Sequence, residues 1–171
     1  MLPSLHGLIL VGGRSSRFGT DKSLVRVEGK IQVSRMTDLL RSLGCDVHLS
    51  VRDRSQVKVF QPYGLHMIVD HPVEEFLPIK NSPPRSAFQG PLAGILAAQA
   101  TFPQHAWLVV ACDLFHLDSQ CLQTLIAARD PAMAAVVYRH PDTSRLEPLC
   151  AIYEPASAAL IREKVQGGEL S

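Results

Sequence analysis

The most constraining stretch of this chain is the passage from an apolar run into a pair of glycines. Leu5 to Val11 is apolar apart from His6 and Gly7, and it ends on Gly12-Gly13. Continuous apolarity with abrupt termination predicts a strand buried on both faces, the kind found inside parallel sheets. After the glycines the chain turns small, polar and basic: Arg14, Ser15, Ser16, Arg17, Phe18, Gly19, Thr20, Asp21 and Lys22. Glycines at the end of a strand let the backbone adopt positive φ and approach a ligand closely. Consecutive N–H groups there make a concavity suited to an anion. Arg14, Arg17 and Lys22 bring positive charge to the same few residues; arginine grips phosphate oxygens two at a time and lysine acts as a point charge. Neither the P-loop pattern nor the dinucleotide fingerprint G-x-G-x-x-G aligns here.

The rest of the chain alternates strands with helices. A helix is predicted over Val33–Leu43, closed by Gly44. Strands are predicted over Asp46–Val51 and His66–Val69. His71–Gly90 holds four prolines (Pro72, Pro78, Pro83, Pro84) and no sustained period, so it reads as a long functional loop, a lid over the reactants. Pro91–Ala100 reads as a helix with proline in its first turn. Trp107–Ala111 is a further buried strand, and Asp118–Arg129 a helix capped by Asp118 or Ser119. Ala134–Tyr138 and Leu149–Tyr153 are strands, and Pro155–Val165 a last helix. Such alternation predicts an α/β, Rossmann-like three-layer sandwich with a mostly parallel sheet.

Composition narrows the function. With 171 residues one domain is expected, and a net charge of +1 gives no reason to expect a nucleic acid partner. No apolar run approaches the ~20 residues that span a bilayer, so no membrane association is expected. Cys45, Cys112, Cys121 and Cys150 lack C-x-x-C spacing and are expected reduced and mostly buried, as in a cytoplasmic protein. The seven histidines (His6, His48, His66, His71, His105, His116, His140) show no ligand spacing and are expected to be structural or surface residues.

Two further segments carry chemistry. Gly90-Pro91-Leu92-Ala93-Gly94 opens a helix, whose first-turn N–H groups and dipole favour a polar or anionic ligand. Val109-Val110-Ala111-Cys112-Asp113 places a carboxylate at the carboxyl end of a buried strand, where open α/β sheets bind ligands. A carboxylate there is suited to Mg²⁺, which takes one or two carboxylates together with phosphates and waters.

Leu10, Gly12, Gly13, Ser15, Arg17, Gly19, Asp21 and Lys22 together resemble the nucleotide-binding signature of the MobA-like nucleotidyltransferases, L-x-G-G-x-S-x-R-M-G-x-D-K. Phe18 stands where methionine is usual and Val11 where alanine is. Gly90-Pro91-Leu92-Ala93-Gly94 resembles the family's second motif, beside the bound nucleotide. Asp113 matches its metal-binding aspartate, although Leu114-Phe115 follow without the proline of a Cys-Asp-x-Pro motif. Asp70 resembles the aspartate that contacts the nucleotide or its ribose. Arg52 falls where the family carries a base-contacting polar residue. Glu147-Pro148-Leu149-Cys150 resembles a substrate-side segment, and Glu147 is a candidate pocket residue.

The resemblance implies a fold of the nucleotide-diphospho-sugar transferase type and a reaction moving GMP from GTP to molybdopterin. Lys22, Arg17 and Asp113 would be catalytic. Leu10, Val11, Gly12, Gly13, Ser15, Arg52, Asp70, Gly90, Pro91 and Leu92 would join Lys22 and Asp113 in binding nucleotide, and Mg²⁺ on Asp113 would be the cofactor. Asp21-Lys22 points to the guanylyl rather than the cytidylyl branch. A sister transferase making a cytidylyl or sugar-nucleotide product, and a non-catalytic nucleotide-binding protein, remain open alternatives. The family also carries an Asn-x-Asn-Thr-Pro-like segment near its C-terminus. This sequence ends at Gly167–Ser171, so the expectation is one nucleotidyltransferase domain over 1–171 without that end. Molybdoenzymes or other cofactor-biosynthesis proteins are the expected protein contacts.

Overall fold

The computed structural model describes residues 2–11, 22–70 and 90–166. Its centre is a six-stranded sheet. Strand β1 (Leu5–Leu10) leads to a two-stranded ribbon, β2 (Arg26–Val27) and β3 (Lys30–Ile31). Helix α1 (Gln32–Ser42), β4 (Asp46–Val51), α2 (Arg54–Phe60) and β5 (His66–Val69) come next. Then come α3 (Pro91–Thr101), β6 (Ala106–Ala111), α4 (Ser119–Ala127), β7 (Ala135–Arg139), β8 (Leu146–Tyr153) and α5 (Ser157–Gln166). The order across the sheet is β5-β4-β1-β6-β8-β7. Strands β5, β4, β1 and β6 are mutually parallel, and β8 runs against its neighbours β6 and β7.

Period-two alternation sends each strand's side chains to two helical layers. Ile9, Leu49, Leu108, Val110 and Ile152 pack with Val33, Met36 and Leu40 of α1, Phe60 of α2, and Leu122 and Leu125 of α4. Leu8, Leu10, Trp107 and Val109 pack with Ile95, Ala97 and Ala98 of α3 on the other face. Helix α3 is buried along most of its length, and Gln99 donates to the Ser157 hydroxyl at 2.6 Å, tying α3 to the start of α5. The architecture is the expected three-layer α/β sandwich. Gly7 has a packing reason: a Cβ on it would lie 3.0 Å from Leu40 Cδ1, so its absence lets α1 sit close on β1.

Local signals set the ends of elements. Gly44, with φ +80°, follows α1 and donates its N–H to the Arg41 carbonyl at 2.9 Å. Asp118 caps α4 by accepting from the Cys121 N–H at 2.8 Å. Helix α2 has no counterpart in the sequence expectations, yet its signal is present. Asp53 accepts from the N–H groups of Ser55 and Gln56, the start of an Asp-x-x-Gln box. At seven residues the helix is too short for its periodicity to stand out. Strand β8 begins at Leu146, three residues ahead of the expected Leu149, because Pro148 and the charged Glu147 disguise its exposed first half.

Candidate active site

Strands β1 and β6 are neighbours, but the chain leaves them in opposite directions across the sheet: β4 and β5 lie beyond β1, and β8 and β7 beyond β6. Their carboxyl ends therefore border a crevice at a topological switch point, the place where such sheets bind ligands. Leu10 pairs with Ala111 there, and Val11 and Cys112 continue both strands as buried residues.

Two buried glutamines fix these ends. Gln56 of α2 donates its side-chain amide to the Val11 carbonyl at 2.9 Å and accepts the Arg52 N–H at 2.8 Å. Gln32 of α1 donates to the Cys112 carbonyl at 2.9 Å. A strand end that runs into a binding loop loses its ladder partners, and these amides replace them. Arg35, one turn along α1, donates to the carbonyls of Leu114 (3.3 Å), Phe115 (2.7 Å) and Leu117 (3.0 Å) and to Gln32 Oε1 (3.0 Å). One guanidinium thus holds the loop after Asp113, where the motif's usual proline is missing. None of the three stands out in the sequence. Each is a polar residue on a helix, and only the tertiary fold shows that it points inward.

Within this frame Lys22 and Asp113 meet. Lys22 opens a single 3-10 turn, Lys22–Leu24, and its Nζ stands 3.1 Å from Asp113 Oδ2. The two side chains are 39% and 44% exposed, so the ion pair lies at the solvent-accessible edge of the sheet. They are 91 residues apart in sequence. Residues 12–21 lie outside the described residues, and with them the candidates Gly12, Gly13, Ser15 and Arg17.

Asp70 and the start of α3 form a second group, at the carboxyl ends of β4 and β5. The Ser50 hydroxyl donates to Asp70 Oδ1 at 2.6 Å. Gly94 sits directly over this pair: a Cβ on it would come within 2.1 Å of Ser50 Oγ and 3.1 Å of both Ser50 Cβ and Asp70 Oδ1. Glycine is thus what lets the first turn of α3 close onto the sheet. Gly90 occupies the cap with φ +135° and Pro91 opens the helix, with no side chain among the described residues capping its N–H groups. Gly90 and Pro91 are exposed and Leu92 half-buried. Replacing Gly94 with alanine should destabilise the protein by about 1–2 kcal/mol. That is an overpacking cost of roughly 1–3 kcal/mol, offset by up to about 1 kcal/mol of helix propensity. Urea unfolding midpoints check this, and a gain in stability would show that α3 has room here. The lid expected over His71–Gly90 lies outside the described residues except for Gly90.

Arg52 follows β4, and its Nε donates to Asp53 Oδ2 at 2.9 Å. The Ser55 hydroxyl first, then this guanidinium and the α2 N–H groups, hold the Asp53 carboxyl well below the usual carboxylate range.

Beyond Asp113 opens a pocket of about 1030 Å³, lined among others by Phe115, Cys121, Tyr138, Arg145 and Glu147. Glu147 Oε1 also accepts the Leu149 N–H at 3.1 Å, which braces the exposed first half of β8. Burial pushes the Cys150 thiol and the Tyr138 hydroxyl up to about 12 each, so neither supplies an anionic nucleophile at neutral pH. All four cysteines are free thiols, and three are buried. Among the described residues no helix is long and apolar enough to cross a membrane.

The MobA-like NTP transferase domain matches residues 7–169. The molybdenum cofactor biosynthesis bifunctional protein of Synechocystis sp. is 34% identical over 146 residues, 85% of this chain and 38% of its own. The molybdenum cofactor guanylyltransferase of Pseudomonas paraeruginosa is 33% identical over 135 residues, covering 78% of this chain and 60% of its own. The chain thus spans less than two thirds of these relatives. A crystal structure of molybdopterin-guanine dinucleotide biosynthesis protein A from Archaeoglobus fulgidus superposes with a TM-score of 0.69 at 23% identity, over 95% of this chain and 74% of its own, which shows a shared fold. A sheet with its switch point at β1 and β6, a lysine and an aspartate meeting there, and a domain match over nearly the whole length place the chain in the MobA-like NTP transferase domain family.

Proposed function

We propose that this chain is a nucleotidyltransferase domain that moves the guanylyl group of GTP to the phosphate of molybdopterin and releases pyrophosphate. The observation that carries the reading is the Lys22–Asp113 pair, half-exposed at the carboxyl end of β6. A phosphate oxygen of the acceptor attacks the α-phosphorus of GTP; the bond to the β-phosphate breaks, and its electrons leave with pyrophosphate. A phosphate monoester has a second pKa near ~6 and is largely ionised at neutral pH, so no general base is needed. Alignment and charge neutralisation remain for the protein to supply.

Lys22, with Arg17, neutralises the α-phosphate and the departing pyrophosphate. The backbone of Gly12 and Gly13 and the Ser15 hydroxyl cradle the triphosphate beside Leu10 and Val11. Asp70, Arg52 and the Gly90–Leu92 turn bind the nucleoside. A hard, half-exposed carboxylate next to a phosphate site fits Mg²⁺, and Asp113 is the residue that would hold it. Mg²⁺ held there would supply neutralisation of phosphate charge. The pocket beyond Asp113 would take the pterin, with Phe115 and Tyr138 offering flat apolar faces and Arg145 a cation for its phosphate. Reduced thiols fit a cytoplasmic setting.

Titration calorimetry with GTP, CTP, ATP and UTP, each with and without Mg²⁺, tests the reading. The expected result is Mg²⁺-dependent binding with GTP preferred, followed by pyrophosphate release on adding molybdopterin. Preference for CTP would move the chain to the cytidylyl branch. Nucleotide binding without turnover would mark a non-catalytic nucleotide-binding protein.

A further inference from the structure

The face of the sheet that α3 covers carries, at its amino-terminal end, a cluster unrelated to the nucleotide crevice. His6 of β1, His48 of β4, His66 at the start of β5 and His105 just before β6 converge there around Phe102 and Trp107. Register brings them together: His6 lies opposite Asp46 and Trp107, and His48 opposite His66. No spacing in the sequence announces this, because four separate segments contribute one ring each.

Three of these groups point donor atoms at one spot. His6 Nδ1 and His48 Nε2 are 3.1 Å apart, and Asp46 Oδ2 is 3.7 Å from the same His48 Nε2. All three ligand atoms fall within 4.8 Å of one another. A tetrahedral ion with bonds of about 2.0–2.1 Å spaces its ligand atoms about 3.3–3.4 Å apart, so the cluster already has nearly the right dimensions. The second nitrogen of His48, Nδ1, lies 3.1 Å from His66 Nδ1. A proton on His48 Nδ1 donated to His66 leaves the Nε2 lone pair turned toward His6 and Asp46. This is the arrangement by which metal-binding histidines are oriented by an outer partner.

We propose that His6, His48 and Asp46 bind a borderline divalent transition ion of the zinc class, with His66 orienting His48. Two imidazoles and a carboxylate would leave a fourth position for water or a further ligand, and His105 stacks on His6 at 4.0 Å between ring centroids. Asp46 is exposed and His6 half-buried, which leaves the ion a route from solvent. The site is separate from Asp113 and does not rest on the nucleotide reading. From His66, at the start of β5, to Asp70, just past its end, is about 13 Å at ~3.3 Å per residue.

Cobalt(II) titration of the tag-free full chain, with Mg²⁺ in excess to occupy oxygen sites, tests it. One equivalent should produce visible d–d bands, displaced by one equivalent of zinc. His6→Ala should weaken zinc binding roughly 100-fold, Asp46→Asn and His66→Asn roughly 10-fold each, and Asp113→Asn should leave it unchanged. Asp46 is on the surface, so its variant keeps the fold even if a histidine variant does not. Absence of the bands, an intense thiolate charge-transfer band, or unaltered affinity in both His6→Ala and Asp46→Asn would overturn the proposal.

Discussion

Lys22→Ala should lower the rate of Mg²⁺-dependent pyrophosphate release from GTP by about 10²–10³-fold, the cost of removing one well-placed donor to charge that develops in the transition state. The expectation rests on where the Nζ is held. It lies 3.1 Å from Asp113 Oδ2, in a crevice both side chains share with solvent. An ion pair this exposed contributes at most about 1 kcal/mol to stability. Its removal should therefore leave the thermal midpoint within a few degrees of the parent, so a collapse of turnover cannot be ascribed to unfolding. Lys22→Arg separates charge from position: a planar fork cannot occupy the site of a compact ammonium without displacement, so rescue should be partial. Turnover of Lys22→Ala equal to that of the parent would take Lys22 out of the mechanism and leave the pair as a surface ion pair.

Much of the fold is legible in the sequence because parallel-sheet strands and their helices write themselves in apolar runs. Leu5–Val11 and Trp107–Ala111 are readable as buried strands, and β1 and β6 are the two that border the crevice. Helices end where chemistry requires, as at Gly44, or begin there, as at Asp118. The site is legible in part. Asp113 can be placed at a strand end from the run before it, and a glycine is readable at the start of α3. Interactions between residues far apart in the chain stay hidden. Gln32 to Cys112 and Gln56 to Val11 join buried amides to carbonyls 80 and 45 residues away. A glutamine on a helix reads as polar and exposed until the fold turns it inward. Four histidines on separate segments likewise carry no spacing signal, whereas a metal site built on one helix would.

The same hidden category contains the interaction whose loss should cost most stability. Arg129, just past α4, grips Glu154, just past β8, with Nε to Oε1 at 2.5 Å and Nη2 to Oε2 at 3.0 Å. Nη2 also donates to the Pro3 carbonyl at 2.9 Å, so one guanidinium joins the entry to β1, the exit of α4 and the exit of β8. Arg129 is 12% exposed and Glu154 only 1%. A charged pair at this depth repays its desolvation only while both partners are present. Arg129→Met keeps most of the aliphatic volume but leaves a carboxylate buried without a counter-charge, which should cost about 3–5 kcal/mol. For a chain of this size that is a fall in melting temperature of roughly 6–20 °C. Scanning calorimetry of Arg129→Met, Glu154→Gln and the double variant separates pair from packing. The double variant should recover much of the loss, because the penalty of the single change lies in the abandoned charge rather than in the missing contact. Additive losses would instead show that each side chain stabilises the fold through its own neighbours, as Arg129 does through the Pro3 carbonyl at 2.9 Å.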